Sequence, residues 1–69
     1  MRVLVFDTTH HALWAEQVAR DAGLAAEVVP APATARAKCD LALEYLPSEE
    51  SELLEALALA QVPARVFEY

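Results

Sequence analysis

Val3-Leu4-Val5-Phe6-Asp7-Thr8-Thr9 opens the chain with an apolar, β-prone run and then three side-chain oxygens in succession. The run reads as a strand. Asp and Thr are residues that start helices by accepting the free N–H groups of the first turn, so a strand feeding directly into a helix is expected here. From Thr9 to Ala22 there is no Pro or Gly to interrupt that helix, and Gly23, the only glycine, stands where a helix end needs a left-handed residue. Ala26-Glu27-Val28-Val29 resumes an extended pattern that Pro30 closes. Leu41, Leu43 and Tyr45 alternate with Ala42, Glu44 and Leu46 to give a third strand. Pro47-Ser48-Glu49-Glu50 begins a second helix, with Ser48 as the expected cap and an acidic first turn suited to the positive end of the helix dipole. Leu53, Ala56, Leu57 and Ala60 recur at helical spacing as its core stripe, Pro63 stops it, and Ala64 to Tyr69 forms a last strand.

The resulting order is βαββαβ. Two interleaved split βαβ units with right-handed crossovers give an α+β, ferredoxin-like sandwich: a four-stranded antiparallel sheet with both helices on one face, in a single domain spanning residues 1–69. This architecture hosts many activities and selects none of them. It leaves one sheet face open, while Val3 to Phe6 is apolar at every position. Either Val3 and Val5 or Leu4 and Phe6 therefore need cover on the open face, and a homodimer is the simplest source. In the first helix Ala12, Ala15, Val18, Ala19 and Ala22 form an apolar arc, with Trp14 at its edge and Leu13 on the opposite side. One of these two large side chains is expected to be partly exposed or at an interface.

Composition narrows the function classes. With 69 residues the chain has little room for a deep enclosed active site, which favours a carrier or binding protein over an enzyme. A net charge of −6, with the five Lys and Arg scattered, disfavours nucleic acid as a partner. The apolar runs are too short for a membrane span or a signal-peptide core, so a cytoplasmic setting, where a thiol stays reduced, is expected.

Two stretches carry chemically capable residues. The segment from Pro30 to Asp40 is longer than a hairpin between neighbouring strands needs, and long connections are disproportionately functional. Pro30 and Pro32 stiffen its start, Thr34 is a candidate cap for a helical turn through Lys38, and Cys39 lies near its end with Arg36, Lys38 and Asp40 close in sequence. A single cysteine makes neither an internal disulfide nor a multi-cysteine metal site, so its chemistry is that of one thiolate. Arg36 and Lys38 favour the anionic sulfur and Asp40 opposes it. The alternative is a structural Cys39, a small buried residue opening the third strand.

The second stretch is Thr8-Thr9-His10-His11 at the first helix start. Here the dipole and free N–H groups suit an anion, Thr9 is a possible contact, and His10 is suited to proton exchange near neutral pH. Adjacent histidines point about 100° apart on a helix. They do not make a chelating i, i+4 pair, so no metal site is expected even with Asp7 and Cys39 recruited, and no cofactor is implied. Glu49, Glu50, Glu52 and Glu55 read as a solvated helix face.

Phe6-Asp7-Thr8-Thr9-His10-His11-Ala12-Leu13, Ala15-Glu16, Gly23, Val29-Pro30-Ala31-Pro32 and Cys39 before Leu41-Ala42-Leu43 together resemble a small bacterial family of selenium or sulfur carrier-like proteins. The resemblance covers essentially the whole chain. It implies that Cys39 matches the family cysteine and His10 the family histidine, and that Cys39 holds a persulfide or selenosulfide passed from a donor protein to an acceptor. Three positions depart from the family pattern: Ala33 where an arginine is usual, Arg36 where a serine is common, and Asp40 where a glycine is usual. Arg36 is the candidate replacement for the charge that Ala33 lacks, and loss of the glycine removes a turn able to present N–H groups to an anionic chalcogen. The competing reading is a non-catalytic, dimeric interaction or regulatory domain.

Overall fold

A computed structural model describes residues 1–69. The elements follow in the order β1 (Arg2–Val5), α1 (Thr9–Asp21), β2 (Ala26–Pro30), β3 (Leu41–Tyr45), α2 (Glu50–Leu59) and β4 (Arg65–Glu68). The sheet order is β2-β3-β1-β4 with every neighbouring pair antiparallel. This is the ferredoxin-like arrangement: β1 and β2, joined by α1, run the same way but are separated by β3. No helix is long and apolar enough to cross a membrane.

Local chemistry accounts for the helix ends. Thr8 is the N-cap of α1, and its Oγ1 accepts the His11 N–H at 3.0 Å. Both helices end in the same paired motif: Gly23 N–H donates to Arg20 O (3.0 Å) and Leu24 N–H to Ala19 O (2.9 Å), while Gln61 donates to Ala58 O (3.1 Å) and Val62 to Leu57 O (2.9 Å). The pivot of each is left-handed, Gly23 at φ 75° and Gln61 at φ 60°. Thus α2 stops at Leu59 through its own C-cap, several residues before Pro63. Its start also differs from expectation. Pro47–Glu49 forms a 3-10 turn, Glu49 takes the N-cap position without a side-chain bond, and Ser48 caps nothing, because the extra turn moves it off the cap.

The pleat of β1 divides the core in two. Leu4 and Phe6 face the helices and are buried with Ala12, Ala15 and Ala19 of α1, Leu53 and Leu57 of α2, and Leu43 and Tyr45 of β3. Val3 and Val5 point to the open face and are nonetheless buried within the single chain, together with Ala42 and Ala35. The cover comes from the segment between β2 and β3, so burying these valines does not require a second copy. Ala35 and the partly buried Ala31 and Ala37 pack there, each methyl contributing on the order of 0.8 kcal/mol. The helical turn in that segment lies earlier than Thr34 capping would place it. It is a 3-10 turn over Ala33–Ala35, preceded by extended Pro32 and ended by Arg36 at φ 51°. On α1 both Leu13 and Trp14 are exposed, at 51% and 39%.

Candidate functional site

The two stretches singled out in the sequence meet at one end of the sheet. β1 delivers the chain to Asp7 and the Thr8 cap there, and β3 begins there, because the two strands are antiparallel with Val5 opposite Ala42. Cys39 thereby reaches the first turn of α1. Its thiol donates to Thr9 Oγ1 at 3.6 Å, across 30 positions of sequence, and its Sγ accepts the Leu41 N–H at 3.3 Å. An N–H···S bond of this kind strengthens when the sulfur is anionic. Cys39 as a whole is 3% exposed and belongs to the helix-side core.

The flanking residues are arranged unequally around it. Thr9 and His10 are exposed. The His10 and Trp14 rings are 6.0 Å apart and those of His11 and Trp14 6.4 Å apart, so the start of α1 carries an aromatic surface. His11 is half-buried with Nδ1 enclosed and unpaired. Arg36 and Lys38 are exposed, and their side chains form neither a hydrogen bond to Cys39 nor an ion pair with a carboxylate. The ion pairs present use only Arg2 and Arg20: Arg2 with Glu50 (2.8 Å) and Glu68 (3.7 Å), and Arg20 with Glu16 (3.6 Å). The three cations left without a carboxylate partner, Arg36, Lys38 and Arg65, all sit at the Cys39 end, since Arg65 pairs with Val5 at the end of β1. Most of the 11 acidic residues lie elsewhere. No cluster of three or more His, Cys, Asp or Glu side chains has an arrangement able to hold a metal.

Sequence reasoning missed Arg65, whose Nη2 donates to Ala35 O at 3.5 Å and ties β4 to the segment over the open face. No local signal marks a contact set by strand register. It also read too little into the acidic residues at the start of α2. Glu50 accepts from the Tyr45 hydroxyl at 2.5 Å as well as from Arg2, and Glu49 Oε1 accepts the Ala25 N–H at 3.0 Å, so these two are structural acceptors rather than a solvated face. Burial, and then the bond to Glu50, pushes the Tyr45 phenol up from its usual value. The largest concavity, about 580 Å³, is lined there by Arg2, Glu27, Glu44 and Tyr45, at the opposite end of the sheet from Cys39.

The profile of the family described as "Putative Se/S carrier protein-like" matches residues 1–67. No curated protein and no solved structure matches the chain.

Proposed function

The chain belongs to the Se/S carrier protein-like family, and from that premise we propose that it carries a sulfur or selenium atom on Cys39. The observation that carries this reading is the position of the chain's one thiol, between the Leu41 N–H and Thr9 at the start of α1, at the end of the sheet that also holds the cations without an ion-pair partner. Loading is a thiolate exchange. Cys39 Sγ attacks the terminal chalcogen of a donor's persulfide, a new Sγ–S or Sγ–Se bond forms, the donor's S–S or S–Se bond breaks, and the donor leaves as a thiolate. Delivery repeats the exchange with an acceptor nucleophile and returns the Cys39 thiolate. No external oxidant or reductant is consumed.

The bound persulfide is an anion. Arg36 and Lys38 supply positive charge at that end of the sheet, Thr9 a hydroxyl contact, and His10 an exposed imidazole one residue further along α1. A cytoplasmic setting, which keeps the thiol reduced, suits this chemistry. The partners are donor and acceptor proteins. If the chain also pairs with itself, exposed Leu13 and Trp14 offer an apolar surface that the covered sheet face does not.

The burial of Cys39 favours a second reading, an interaction domain in which the cysteine is structural. Incubation with a cysteine desulfurase and cysteine, or with a selenium-delivering counterpart, followed by intact-mass measurement separates the two. The carrier gains one chalcogen atom and the Cys39→Ser variant gains none. Failure to load from an active donor, in the native protein and in Asp40→Gly alike, leaves the interaction domain as the better account.

A further inference from the structure

The segment 31–40 is anchored on both faces of the sheet. Its neck is closed by one bond, Ala31 N–H to Asp40 O at 2.8 Å, which continues the β2–β3 ladder beyond the Pro30–Leu41 pair. Such a loop, with its ends together and its own side chains packed inward, can move as a unit about the neck. Ala35 and Ala37 sit on the open face with Val3, Val5 and Ala42, whereas Cys39, a few residues on, sits on the helix face with Phe6 and Leu43. Only small side chains and few hydrogen bonds hold the loop. Besides the neck these are Ala35 N–H to Pro32 O (3.0 Å), Arg36 N–H to Ala33 O (3.4 Å), Arg65 to Ala35 O (3.5 Å) and the two contacts of Cys39. Segments with so few buried contacts open at a free energy below that of global unfolding.

We propose that segment 31–40 is a clasp whose release from the open face uncovers Cys39 on the other, so that occupation or disturbance of the open face controls access to the thiol. This rests on the carrier reading for its purpose, though not for its mechanics. The physical reason is continuity: with Ala35 seated, the short link through Arg36, Ala37 and Lys38 holds the backbone of Cys39 against the sheet end. A chalcogen donor meets a cysteine that is 3% exposed. It reaches Sγ only when the clasp lifts.

Alkylation of the folded protein by iodoacetamide, a small neutral reagent, tests the mechanics. Wild type is expected to react far more slowly than the chain unfolded in urea, yet faster than its global unfolding equilibrium allows. Ala35→Asp, which places a carboxylate among Val3, Val5 and Ala42, is expected to speed alkylation at least about tenfold. Should Ala35→Asp fail to fold by circular dichroism, Ala35→Gly, which removes one buried methyl, is expected to speed it about threefold. Gly23→Ala, at the far end of α1, weakens the whole fold without touching the clasp and should leave the rate unchanged.

A rate that follows global stability in Gly23→Ala, no response to the Ala35 variants, or wild-type reaction at the unfolded rate would each overturn the clasp. Chalcogen loading is scored separately. Alkylation that responds to Ala35 without any loading keeps the clasp and removes the carrier reading. Loading whose rate ignores Ala35 keeps the carrier and removes the clasp.

Discussion

Gly23→Ala isolates a single backbone effect. Gly23 has φ 75°, and a Cβ built on it meets nothing within 4 Å, so the substitution adds strain without a clash. A left-handed L-residue costs about 1–2 kcal/mol. The stiffer unfolded chain of the alanine variant returns about 0.4–1 kcal/mol of that, which leaves a net loss of roughly 1 kcal/mol. Gln61 supplies the internal control, because it occupies the equivalent pivot after α2 at φ 60° with a side chain already present. Gln61→Gly is therefore expected to stabilise the protein by about 0.5–1 kcal/mol.

For a domain of this size, about 1 kcal/mol moves the melting temperature by roughly 4–8 °C. The total stability expected of such a chain is roughly 3–10 kcal/mol, so the effect is a sizeable fraction of it. Urea unfolding followed by far-ultraviolet circular dichroism measures both variants, and a constant denaturant slope would show that the surface exposed on unfolding is unchanged. A Gly23→Ala loss below about 0.3 kcal/mol, or a Gln61→Gly variant less stable than wild type, would refute the reasoning that backbone handedness sets the cost at both ends.

Thr8→Ala should destabilise by about 1 kcal/mol through loss of the Oγ1 acceptor for His11 N–H, measured by the same urea titration. Leu53→Ala, at a position with no solvent exposure between α2 and the sheet, should cost about 2–5 kcal/mol, read as a lowered urea midpoint by circular dichroism. Tyr45 carries a raised phenol, so the folded state keeps a proton that the unfolded chain loses near pH 10. Its contribution is whole below that pH and is lost as pH rises toward the higher folded value. Urea midpoints at stepwise alkaline pH should consequently fall less steeply in Tyr45→Phe than in wild type; equal slopes would show that Tyr45 ionisation does not drive the decline.

What the sequence determined by itself was short-range. An N-cap within Asp7-Thr8-Thr9, the left-handed Gly23, the alternation through β3 and the Leu53–Leu57 stripe are each readable because the physics that decides them acts within about one helical turn or one pleat. Their order then left few topologies open, which is why the ferredoxin-like sheet was legible from six elements. The motifs around Cys39 and His10 were legible as family signs, without their geometry.

Tertiary structure alone decided the rest. Leu4 and Phe6, or else Val3 and Val5, could face the helices, since β1 is apolar on both sides, and only the packing of α1 and α2 chose the first pair. That choice placed Val3 and Val5 under Ala35, giving the sheet's second face cover from within the chain where a dimer had been expected. Gln61 in a left-handed pivot, Arg65 reaching Ala35, and the Thr9 hydroxyl beside Cys39 all join positions whose proximity depends on strand register and chain reversal. Nothing local encodes such contacts. They form because burying both faces of one sheet forces distant residues to share space, and the same constraint turned the cysteine of a long loop into a core residue.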